Sequence, residues 1–143
     1  MSQALDLFQG RVIAEEGERL QPYDDATGEP VKAPQGFLSW GWGFNLTQCG
    51  SHALFATMFR FLAGAIENQL QALTWYPGLP SGVQSVCLDI AYNGGVHDLL
   101  NYPHMIAALA LKDYAGAAAQ CTTKNPQLQS RYQKLAAIIA AGA

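Results

Sequence analysis

Three side chains in the first third of the chain have the types and spacing that acid–base hydrolysis needs. Glu16 closes a run with helical periodicity. Asp25 follows nine residues later in a stretch broken by Pro and Gly, and Ser39 stands on the next segment, which alternates with period two. Glycosidic bond cleavage uses one carboxylic acid that stays protonated to donate to the leaving oxygen. A second carboxyl stays ionised to direct water or to stabilise the cationic transition state. Glu16, expected to continue an apolar stripe and so to be partly desolvated, suits the acid. Asp25, on a polar segment open to water, suits the base, with Asp24 as its immediate rival. Ser39 is placed to hold the attacking water alongside Asp25.

The elements that would position these groups follow from periodicity. Leu5, Phe8, Val12 and Ile13 recur at helical spacing and predict a first helix over Gln3 to Glu16, stopped by Gly17. On that helix Glu16 extends the apolar stripe and Glu15 points elsewhere. Pro22, Gly28, Pro30, Pro34, Gly36, Gly41 and Gly43 forbid a continuous helix from Gln21 to Asn45. Within this stretch Leu38, Trp40, Trp42 and Phe44 share one face, which reads as packing. Ser39, Gly41 and Gly43 share the other, where a ligand has close access to the backbone. The remainder predicts helices: Ser51 to Leu73, with a possible break at Gly64; Ser81 to Gly94 or Gly95, apolar and central from Val86 to Ala91; and then shorter ones. Asn101 and Asp113 are the expected caps of two of these, and Asn125 with Pro126 opens a last helix that reaches Ala141. The expected architecture is α+β: a mainly helical single domain over residues 1–143, with a small β-hairpin lobe between the first and second helices.

Composition narrows the function classes. Half of the 143 residues are apolar and 13% are charged, which excludes a disordered chain. A formal net charge of −3 argues against a phosphate-gripping basic face, so no nucleic-acid partner is expected. Cys49, Cys87 and Cys121 show no metal-ligand spacing and read as free thiols; neither metal nor cofactor is implied. The N-terminal segment lacks the apolar core of a signal peptide, and no run is long enough to span a membrane. The expectation is a protein made in the cytoplasm. Charge is also unevenly distributed. Six acids fall between Glu15 and Glu29, and four basic residues lie from Lys112 onwards, so the two ends are expected to meet.

In combination these residues resemble the phage-type lysozymes or endolysins, glycoside hydrolase family 24. The resemblance rests on Glu16, Gly17, Arg19, Leu20, Tyr23 and Asp25, then Ser39, Gly41 and Gly43, the strand end GFNL, the segment DIAYNGGV from Asp89 to Val96, and the closing NPQLQSRYQKLAAIIAAG. The chain departs from the family pattern at several points. The family places a Thr six positions after its Asp, where this chain has Val31, and the hydroxyl falls at Ser39 after a lengthened hairpin, Ala26 to Leu38. Phe44 replaces a His or Arg, and CTTKNP stands where a Trp is usual.

The resemblance implies a lysozyme-like fold and muramidase activity. The bond cleaved would be the β-1,4 bond between N-acetylmuramic acid and N-acetylglucosamine in peptidoglycan, by an inverting route with the carboxyls about 6.5–9.5 Å apart. It implies Glu16 as acid, Asp25 as base and Ser39 as their helper. Tyr23, Asn45, Tyr92 and Asn93 are the candidate glycan contacts. Their structural alternatives are packing for Tyr23, capping of the hairpin for Asn45 and backbone satisfaction for Asn93. Peptidoglycan strands are the implied partner of a monomer that does not insert stably into membranes and reaches the wall through a holin-type pore or by particle delivery. Alternatives are a glycan-binding or virion-structural module that keeps the fold without the chemistry, an antibacterial effector muramidase, and a lytic transglycosylase, against which the second carboxyl speaks.

Overall fold

The computed structural model describes residues 2–16, 39–40, 44–45 and 52–142. Seven α-helices appear among them in the order α1 (Gln3–Glu16), α2 (His52–Gln71), α3 (Ser81–Gly94), α4 (Val96–Leu100), α5 (Pro103–Ala110), α6 (Tyr114–Gln120) and α7 (Gln129–Ala141). A 3-10 turn, Pro126–Leu128, leads into α7. Extended structure among the described residues is confined to β1 (Ser39–Trp40) and β2 (Phe44–Asn45), two residues each, paired antiparallel with Ser39 opposite Asn45 and Trp40 opposite Phe44.

The α+β expectation is corrected: the described chain is a helical domain, and its four paired residues do not amount to a β lobe. Strands this short bury no face of their own, and a β layer needs three or more strands or a helix packed against it. Of the period-two pattern from Phe37 to Phe44, the described residues show pairing at Ser39–Trp40 and Phe44–Asn45. Most of the segment expected to form the lobe, including Gly17 to Leu38, lies outside the described residues.

α3 is the centre of the fold. Every residue from Gly82 to Ala91 is buried, and α3 packs against α1, α2, α4 and α7. A helix hydrophobic on all sides belongs in the interior, and the Val86 to Ala91 run supplies that character. One apolar core draws Leu5 and Phe8 from α1, Ala63 and Leu70 from α2, Leu99 from α4, Met105 and Leu109 from α5, Ala117 from α6, and Leu135 and Ile139 from α7. Where α1, α2 and α3 meet, the rings of Phe8, Phe59 and Tyr92 form a mutual cluster with centroids 5.2–5.3 Å apart. This is the spacing at which tilted and edge-on aromatic pairs attract.

Local signals account for the helix ends. α2 runs unbroken through Gly64, since its packed face outweighs the propensity cost of a single glycine. Asp113 caps α6 by accepting the Gly116 N–H at 2.9 Å. Asn125 accepts the Gln127 N–H at 3.0 Å, Pro126 opens the 3-10 turn, and Gly142 ends α7 at φ 63°. Ser81 is the first residue of α3 and not its cap; Pro80 occupies the cap position. Tyr102, and not Asn101, stands at the cap of α5.

On α1 the inward face carries Ala4, Leu5 and Phe8, whereas Ile13 is 45% exposed. Glu15 is turned towards α7, where it meets Arg131 and Lys134.

Candidate functional site

The described polar groups converge around one buried carboxylate, Asp89, at the middle of α3 and 1% exposed. Arg131 of α7 reaches it with Nη2 2.7 Å and Nε 3.1 Å from Oδ1. Arg11 of α1 approaches the other oxygen, Nη2 to Oδ2 3.5 Å. Arg11 also donates to Ser85, 2.7 Å to Oγ and 2.7 Å to the carbonyl, so its fork clasps one turn of α3. Burial pushes the Arg11 guanidinium below its ordinary range, and the Asp89 charge pulls it back up. Asn93, one turn after Asp89, donates Nδ2 to the Asp89 carbonyl at 2.8 Å and to its Oδ1 at 3.2 Å.

The network extends to the end of α1. Glu15 Oε2 lies 3.8 Å from Arg131 Nε, and Glu15 Oε1 lies 3.2 Å from Lys134 Nζ. α1 has no basic residue in its last turn, where the dipole favours one. Arg131 and Lys134 of α7 supply that charge from across the interface. The acidic and basic ends of the chain meet here.

Beside Asp89 a cavity of about 260 Å³ opens between α3, α4 and α7, lined on its polar side by Asp89, Asn93, Asp98, Arg131 and Tyr132. A second, of about 440 Å³, lies beyond Tyr132, against Cys121, Thr122 and Gln133. Tyr132 is the wall between them, and its hydroxyl accepts a 3.1 Å hydrogen bond from Tyr102. Among the described residues no group of three or more His, Cys, Asp or Glu is arranged to hold a metal, and no helix is long and apolar enough to cross a membrane.

The sequence-derived site is distributed unevenly over this framework. Glu16 is the last residue of α1, Ser39 lies in β1, and Asn45 in β2, opposite Ser39. Asp25, its rival Asp24 and Tyr23 lie outside the described residues. Tyr92 is half-buried in the aromatic cluster with Phe8 and Phe59. Asn93 lines the cavity while bonding the backbone one turn back.

Residue types alone did not single out Asp89, Arg11, Ser85 or Asp98. The available signal was an acid standing alone in an otherwise apolar helix, because a buried charge requires a partner. The cations that answer it lie 78 residues before and 42 after it.

No protein-family model, curated protein or solved structure matches the chain.

Proposed function

We propose that the protein is a muramidase of the endolysin type, hydrolysing the β-1,4 bond of peptidoglycan for bacterial cell lysis. The reading starts from the residue pattern of Glu16, Asp25 and Ser39. The observation that carries it further is the joining of the end of α1 to α3 and α7 by Glu15, Arg131 and Asp89. That linkage anchors the last turn of α1, where Glu16 ends the helix, and catalytic groups need a fixed framework to hold their geometry.

In this mechanism Glu16 protonates the glycosidic oxygen as the bond to the anomeric carbon breaks. Asp25, aided by Ser39, takes a proton from the water that attacks the opposite face, and the product sugar carries inverted configuration. Neither step calls on a metal or cofactor.

The test is reducing-end release from purified sacculi. Wild-type protein is expected to release ends, and Glu16→Gln to lower the rate by at least about 100-fold, the scale of a lost general acid, with an unchanged circular dichroism spectrum. Wild-type rates from Glu16→Gln would overturn the assignment. A protein that sediments with walls and releases no ends would be a binding module.

A further inference from the structure

We infer that the cavity between α3, α4 and α7 is a subsite for an alkylammonium group, a primary amine on a short aliphatic chain. Its charged lining is one cation and two carboxylates, Arg131, Asp89 and Asp98. Arg131 is engaged by Asp89 and Glu15. The Asp98 carboxylate, by contrast, makes no hydrogen bond or ion pair among the described residues, and the other two charges of the lining, Asp89 and Arg131, offset each other. It lies against Gly94, where a side-chain methyl would collide with it, so the glycine leaves room for the carboxylate over the end of α3. That end carries the negative pole of a 14-residue helix, which adds to the attraction for a cation.

The rest of the lining suits the chain behind the charge. Ile90, Leu128 and Leu135 offer apolar wall, and Tyr132 belongs to the same lining. An aromatic ring next to an acid is a recurring cradle for ammonium groups. A volume of about 260 Å³ has room for a lysine-like side chain. Resting on the muramidase reading, the group received is the free side-chain amine of a diamino acid in the peptidoglycan stem peptide.

Nuclear magnetic resonance titration of the full chain with Nα-acetyl-lysine amide tests the cavity directly. Saturable shifts are expected at Asn93, Gly94, Asp98, Leu128 and Tyr132, with none from the Nε-acetylated analogue. Asp98→Asn is expected to weaken the probe by about tenfold or more, as loss of a charge-assisted bond does. Absence of saturable shifts, or equal shifts from the two probes, overturns the inference without reference to any variant.

Sacculi with free and with acetylated stem amines test the link to substrate. Faster digestion of the free form, with the difference lost in Asp98→Asn, is expected. Digestion that ignores acetylation overturns the link. If neither wall yields reducing ends, the muramidase reading fails, and the titration still decides the cavity.

Discussion

Asp89 holds its place in the core through what surrounds it. Its side chain is 2% exposed, and the side chains of Arg11 and Arg131 are 19% and 17% exposed. A buried ion pair is weak evidence of net stabilisation, because desolvation offsets the Coulomb gain. Removing one partner is a different matter, since it strands charges already out of water. Asp89→Ala leaves two guanidiniums facing each other and strips Asn93 of one acceptor. The expected loss is about 3–5 kcal/mol, read as a lower urea midpoint at unchanged slope. The carboxylate was legible in the sequence only as part of DIAYNGGV; its partners were not, because pairing over 78 and 42 residues of chain has no local signature. Arg131 and Lys134 did carry a trace of it in the charge imbalance between the chain ends.

The helices of the C-terminal half were legible because each boundary is written in short-range chemistry. Asp113 bonding Gly116, Asn125 bonding Gln127 and Gly142 in the left-handed region all act within three residues. The extended segment carries no such short-range signal of its partner. Alternation of Leu38, Trp40, Trp42 and Phe44 specifies a pleat without specifying a partner long enough to make it a layer. Lys112, between α5 and α6, is a boundary where the residue type conflicts with the backbone: it sits at φ 58°. Among the described residues it is the one non-glycine with positive φ, a conformation costing an L-residue roughly 1–2 kcal/mol. Lys112→Gly relieves that strain and forfeits some unfolded-state advantage, so a net gain of about 0.5–1 kcal/mol is expected in thermal or urea unfolding.

At the scale of the whole molecule the core also governs its response to pH. Cys87 and Cys121 are buried free thiols. Burial raises both from about 9 to about 12, with the Cys121 charge adding to the effect at Cys87 and the Asp89 charge adding at Cys121. Burial likewise raises the phenols of Tyr76 and Tyr132. In each case the unfolded chain loses its proton first as pH rises, so the unfolded state binds fewer protons than the native one and stability falls with pH. For the thiols the contribution is whole below pH 9 and declines towards 12. Urea midpoints are expected to drop steadily from pH 9 to pH 11. In the native protein at pH 8, neither thiol is expected to react with a disulfide reagent on the timescale of the denatured chain. A midpoint that is flat or rises over this range would contradict the burial.

The Asp89 junction also makes the centre of the fold depend on α7. Arg131 and Lys134 of α7 answer Asp89 and, 119 residues apart in the case of Lys134, the Glu15 carboxylate of α1. Without α7, the interior acid lacks one of its two guanidinium partners and Glu15 lacks both of its cations. A chain lacking α7 is thus flawed at its centre and not merely short at its edge. A 1–124 fragment is expected to be digested by trypsin far faster than the full chain at equal protease, and added α7 peptide to slow that digestion. Closure of the core around Asp89 therefore waits on α7.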